Sequence, residues 1–249
     1  MIIPALHRQV RAVDSQVHRR TSVKLPVESW AHMGGVNALF VTAAECLQMA
    51  CDYPIVFVKA GDDGQGGTDY APIAVLGLAP GENLYLEGGR WRAHHMPAML
   101  ASYPFAIARG GEGGQFAVCI DSAYEGLAEG DAAGGRRLFD DVGQPTEFAR
   151  QVTADLERLE AQIQGTRAAV RRLAELGLLV DRRLDGTLPD GRKVSADGFL
   201  VVDEEKLRAL PDATLLDLQR SGLMHVVHAH WVSLGQMRRL LMWRAERAA

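Results

Sequence analysis

Apolar and small side chains recur at Phe148, Val152, Leu156, Leu159, Ile163, Thr166, Val170 and Leu173, in steps of four and three. That spacing predicts one long helix with a single apolar stripe. Thr146 stands where an N-cap belongs, and Gly177 where a helix stops in a left-handed turn. The other faces are charged, with Arg150, Asp155, Glu157, Arg158, Glu160, Arg167, Arg171, Arg172 and Glu175. One stripe needs one covering surface. The helix is therefore expected to pack on the chain's own β layer or C-terminal helices, and not mainly in a partner's coiled coil.

Before this helix the pattern is shorter and β-rich. Residues 55–59, 72–78 and 84–86 are runs of β-branched, aromatic or apolar residues bounded by Gly, Pro and Asp. Residues 105–108 and 116–120 read as two further strands. The glycine-rich segments 61–67 and 110–114 are expected at hairpin tips. Residues 38–50 read as a short helix, and 95–102 have helical character, with Pro97 tolerable in a first turn. After Gly177 a hairpin is expected, 178–184 with 192–202, turning through 185–191. Helices should follow over 203–210, 211–220 and about 226–246. The pattern predicts an α+β fold: a β-rich N-terminal half, a long central amphipathic helix, a β-hairpin and a helical C-terminal part. Residues 1–30 read as an N-terminal extension. Residues 31–249 read as one domain, β-rich over 31–143 and mostly helical over 144–249.

Composition adds exclusions. The chain has 249 residues, 47% hydrophobic and 23% charged, an ordinary globular mixture. Its net charge of −4 disfavours nucleic acid as a partner. The first 24 residues are locally basic, with Arg8, Arg11, Arg19, Arg20 and Lys24 against Asp14. His18, Arg19, Arg20 and Lys24 interrupt the apolar run that a secretory signal would need. No stretch approaches the ~18 apolar residues of a membrane span. Cys46, Cys51 and Cys119 have no metal-ligand spacing and no C-x-x-C pair, which fits reduced thiols in a cytosol. A cytoplasmic location is expected.

Candidate chemistry is sparse. His225, His228 and His230 are clustered, but on a helix the first two share a face and the third lies well round from it. They are expected to bind no metal. His94-His95 could supply a general base, yet no nucleophile motif stands nearby. Neither glycine-rich segment carries the Lys-Ser/Thr of a phosphate loop. Asp62, Asp63 and Asp69 lack the spacing of a calcium loop. Glu204-Glu205 and Asp140-Asp141 read as partners of helix dipoles. No catalytic residue, metal or cofactor is assigned. The expected ligand-binding residues are aromatic and histidine side chains in and around two Tyr-Pro segments: Tyr53, Tyr85, Trp91, His94, His95, Tyr103 and Phe105.

Those segments also carry a resemblance. Tyr53-Pro54-Ile55-Val56-Phe57, Pro72-Ile73-Ala74-Val75-Leu76-Gly77-Leu78, Gly81-Glu82-Asn83-Leu84-Tyr85, Trp91, Pro97-Ala98 and Tyr103-Pro104-Phe105 follow one another in order. So do Phe139-Asp140-Asp141, Gly198-Phe199-Leu200-Val201-Val202-Asp203 and Ser233-Leu234-Gly235-Gln236-Met237. Over roughly residues 30–247 this order resembles the SapC-like proteins of bacteria, and not the peptide-transport permease of the same label. Where that family usually has basic residues before its second Tyr-Pro-Phe, this chain has Ala101-Ser102. The resemblance implies a link to surface-layer or envelope protein biogenesis and implies no reaction. The expectation is a non-catalytic cytosolic accessory protein that binds a protein or peptide. The alternative is an enzyme, or enzyme subunit, with a His-containing pocket.

Overall fold

The computed structural model describes residues 2–62, 67–109, 116–131, 134–187 and 191–248. In chain order the first elements are β1 (Val10–Ala12), β2 (Thr21–Lys24), β3 (Ala38–Phe40), α1 (Cys46–Met49), β4 (Ile55–Asp62) and β5 (Thr68–Val75). Two-residue strands β6 (Leu86–Glu87) and β7 (Arg90–Trp91) lead to α2 (Ala98–Ala101), β8 (Phe105–Arg109), β9 (Phe116–Asp121), β10 (Leu127–Glu129) and β11 (Gly135–Arg137). Then come α3 (Glu147–Glu175), β12 (Leu179–Thr187), β13 (Lys193–Val202), α4 (Glu204–Arg208), α5 (Asp212–Arg220), α6 (Leu223–Ser233) and α7 (Met237–Ala248). The fold is α+β, as the pattern predicts.

The chain divides into two compact units. Unit 1 comprises Met1–Met33, Gly88–Arg90 and Met99–Ala161; unit 2 comprises Gly34–Glu87, Trp91–Ala98 and Gln162–Ala249. The division falls within α3.

Unit 1 holds two three-stranded antiparallel sheets, ordered β1-β9-β8 and β10-β2-β11. Within residues 1–30, read from sequence as an extension, β1 and β2 supply one strand to each sheet. Leu6 and Val23 are fully buried. Two histidines fasten the segment: His7 and His18 each accept, through Nδ1, the N–H of the residue four positions earlier.

Unit 2 is built on a five-stranded antiparallel sheet, ordered β12-β13-β4-β5-β3. The expected hairpins β4–β5 and β12–β13 are its longest ladders. Residues 63–66, 110–114 and 188–190 of the expected turns lie outside the described residues. Residues 38–50 do not form the single helix expected. Ala38-Leu39-Phe40 pairs with Val75-Ala74-Ile73 as β3, and the helix starts only after Glu45. A short apolar run satisfies either period, and an available sheet edge decides it. The helical character expected over 95–102 is confined to α2.

Helix α3 matches its prediction at both ends. Thr146 Oγ1 accepts the N–H of Ala149. Gly177 has φ +68°, and the Leu178 N–H bonds the Leu173 carbonyl, closing the helix in a left-handed cap. Leu156, Ile163, Thr166, Val170 and Leu173 of the stripe are buried within the single chain, while Val152 and Leu159 are half-buried. Leu173→Ala should therefore cost ~2–5 kcal/mol. Its melting temperature should fall by roughly 2–4 °C per kcal/mol, at every protein concentration. Unchanged monomer stability with dissociation of an oligomer would make the stripe an interface instead.

Candidate functional site

The first Tyr-Pro segment is built around two buried carboxylates, Glu45 and Asp52. In the turn Thr42-Ala43-Ala44-Glu45 ahead of α1, Glu45 Oε1 accepts both the N–H and the hydroxyl of Thr42. Its other oxygen accepts the Ala98 N–H at 2.8 Å, at the first residue of α2. Asp52 Oδ2 accepts the N–H groups of His94 (3.0 Å) and His95 (2.8 Å). Together the two acids fix the course of residues 94–98.

Tyrosines brace the same segment. Tyr53 donates its hydroxyl hydrogen to the His95 carbonyl (2.7 Å) and accepts the Trp91 indole N–H (2.6 Å). Tyr85 donates to the Asp52 carbonyl (2.6 Å). The two phenol rings stack at 4.5 Å, and Trp243 meets Tyr85 edge-on at 5.1 Å. Arg92 lies over the Trp243 ring, 4.2 Å from its centroid. Burial pushes the ionisation of Tyr53 and Tyr85 well above the ordinary phenol range. Both are therefore neutral, fully buried struts. The turn before Tyr85 rests on Gly77, Glu82 and Asn83. A Cβ on Gly77 would stand 2.0 Å from the Glu82 carbonyl oxygen, so only glycine allows this close approach. Leu78 N–H then bonds the Glu82 carboxylate, and Asn83 accepts the Tyr85 N–H.

Outside this frame lies an open hollow of about 430 Å³, lined by Gln48, Cys51, Asp52, His94, His95 and Arg239. The His94 side chain is 99% exposed, with Nδ1 at 3.4 Å from Asp52 Oδ1. His95 Nε2 lies 3.4 Å from Glu45 Oε2. Arg239 donates to the Asp52 carbonyl at 3.2 Å and stands 3.7 Å from its carboxylate. Cys51 is an exposed free thiol, and it forms no hydrogen bond to either histidine.

The expected ligand-binding residues thus separate. Tyr53, Tyr85, Trp91, His94 and His95 come together in unit 2, but only the two histidines line the hollow. Tyr103 and Phe105 belong to unit 1, both buried. Tyr103 donates to Asp121, and Phe105 meets Phe148 edge-on at 6.0 Å. Glu45, Asp52, Gln48, Cys51 and Arg239 were not anticipated. The Thr-x-x-Glu spacing was a readable signal for Glu45; the others carry none.

The C-terminal histidines also part. His225 and His228 are exposed on α6, and His230 is fully buried. Its imidazole sits between two strand ends. Nδ1 donates to the Ile55 carbonyl (2.7 Å), and Nε2 accepts the Val202 N–H (3.1 Å). Ser233 accepts the Ile55 N–H, and the Trp231 indole donates to the Val202 carbonyl. Strands β4 and β13 pair at Leu200–Phe57, and α6 side chains satisfy the backbone two residues further on. Burial pulls the His230 pKa down to about 4. Among the described residues no group of three or more His, Cys, Asp and Glu side chains is placed to hold a metal ion. Asp63 lies outside them. No helix among them is long and apolar enough to cross a membrane.

The SapC family model matches residues 13–240, and the chain belongs to the SapC family. No curated protein and no solved structure matches it.

Proposed function

We propose that this SapC-family protein is a non-catalytic cytosolic accessory protein that binds a protein or peptide partner over the unit 2 hollow. One observation carries the reading. The buried groups best suited to chemistry, Glu45, Asp52, Tyr53 and Tyr85, are engaged with backbone N–H and carbonyl groups, and so hold a rim that presents His94. A rigid rim offering exposed polar side chains favours recognition at low ordering cost. Leu47, 56% exposed beside Gln48, adds apolar surface next to the hollow. The net charge of −4 supports a partner other than nucleic acid. A role in envelope or surface-layer protein biogenesis is part of the proposal.

A second reading has its own support: His94, His95, Asp52 and Cys51 share one hollow, as an enzyme site would require. Copurification from the native host separates the two. His94→Glu should fold with unchanged melting temperature and lose the partner that the wild-type chain retains. Partner retention by the variant would contradict the binding reading. So would turnover of a hydrolase or transferase substrate that His94→Ala or Cys51→Ala abolishes.

A further inference from the structure

Unit 1 contains a second concavity, independent of the hollow above. Its volume is about 320 Å³, at the small end of the roughly 300–1,000 Å³ typical of ligand pockets. Its wall is aromatic. Tyr103 lies 5.4 Å from the His32 ring and 5.3 Å, edge-on, from Tyr124. Tyr124 is held in place by donating to the Lys24 carbonyl (2.6 Å). Gly126 lies against its ring, where a Cβ would come within 2.5 Å. Tyr103 is held by donating to the buried Asp121.

The charges at the rim are balanced. Lys24 and Glu28 pair with each other at 2.9 Å. Arg8 gives one guanidinium nitrogen to the Ala123 carbonyl and stands 3.9 Å from Asp121 through Nε, with its side chain 41% exposed. Glu125 is exposed at the opposite sign. His32 Nε2 is buried without a hydrogen-bond partner. Buried polar atoms without a partner are rare in folded proteins, so this one stands out at the pocket. Burial, and Arg8 after it, hold the His32 pKa below its ordinary value, so the ring is neutral near pH 7.

We propose that this pocket binds a small zwitterion with a flat or apolar body, an α-amino acid or its chemical equivalent. Arg8 takes the carboxylate, for which its fork geometry is suited. Glu125 takes the ammonium. The body lies against Tyr103 and Tyr124, and His32 Nε2 gains its missing hydrogen bond. A ligand with only one charge would satisfy one of the two rim groups and leave the other unanswered.

The test titrates the full chain with the common L-amino acids, following the His32 ring signals by NMR and the affinity by calorimetry. The best binder is then compared with its deaminated acid and with its amide. The expected result is a saturable His32 shift, with both single-charge analogues bound at least about tenfold more weakly. Glu125→Gln should weaken the amino acid and leave the deaminated acid unaffected. Arg8→Gln should likewise weaken the amino acid and leave the amide unaffected. Because Glu125 is exposed, its variant keeps the test open if Arg8→Gln folds poorly. No His32 shift with any amino acid, equal binding of either analogue, or unchanged affinity in Glu125→Gln would overturn the proposal. None of these outcomes bears on partner binding at His94.

Discussion

His230→Phe should destabilise the isolated protein by about 2–6 kcal/mol. The ring would still pack beside Phe57, whose centroid is 5.1 Å away. The Ile55 carbonyl and the Val202 N–H would each lose the imidazole partner. An unmet buried polar group costs about 1–3 kcal/mol. The same residue sets a pH dependence. In the unfolded chain His230 titrates near its ordinary value of 6.5; in the fold its pKa is about 4. The folded pKa is depressed, so the stabilisation is complete above the unfolded value and is lost as pH falls towards 4. The loss amounts to ~3 kcal/mol over that window. Urea unfolding at several pH values checks both parts. The fall in stability from pH 7 to 4 should be smaller in His230→Phe than in wild type by about that amount. Equal pH profiles, or a variant as stable as wild type at pH 7, would count against the strand-bridging role.

Asp121→Asn should produce the second large loss, in unit 1. The carboxylate is fully buried and accepts four hydrogen bonds. Oδ1 takes the N–H groups of Gln9 (2.8 Å) and Ala123 (3.1 Å), and Oδ2 those of Arg8 (3.1 Å) and the Tyr103 hydroxyl (3.0 Å). An amide offers one oxygen, so one donor pair would face an NH₂ group. Charged acceptors contribute about 1.5–3 kcal/mol per hydrogen bond, which places the loss of two on the order of 3–6 kcal/mol. Tyr103→Phe removes one donor and keeps the ring, so it should cost only the one charge-assisted hydrogen bond, about 1.5–3 kcal/mol. Burial alone would lift the Asp121 pKa, but the N–H groups of Gln9, Arg8 and Ala123 and the Tyr103 hydroxyl hold it below the ordinary value. Its contribution is therefore present above the unfolded carboxylate range and is lost as pH falls through the depressed folded value. A loss under about 0.5 kcal/mol in Asp121→Asn, the scale of ordinary surface substitutions, would show that water replaces these contacts.

Local rules read well where one element decides its own structure. The α3 stripe, its Thr146 cap and its Gly177 stop need only helical geometry, and all three are found. The β12–β13 hairpin is likewise a matter of neighbouring residues. Where the partner is distant, the pattern is silent. Strands β1 and β2 are three and four residues long and basic, and they exist because β9, β10 and β11 offer edges about a hundred residues away. The candidate site divides the same way. The Tyr-Pro and aromatic residues drew notice because they are large and unusual, yet Tyr53 and Tyr85 turned inward as struts. The hollow's Asp52 and Arg239 are ordinary charged residues nearly 190 positions apart, brought together only by the fold. His230 shows the limit most clearly. The three clustered histidines are expected to bind no metal, but nothing in their spacing tells that one of them serves as a rung between two strands.

Site-specific photo-crosslinking in the native host tests the central claim most directly. A photoreactive residue is placed at Gln48, inside the hollow, and as a control at Leu216, exposed on α5. The account predicts one reproducible protein adduct from position 48, absent from position 216 and abolished by His94→Glu. No adduct at position 48, or the same adducts at both positions, would contradict a partner-binding surface at this hollow.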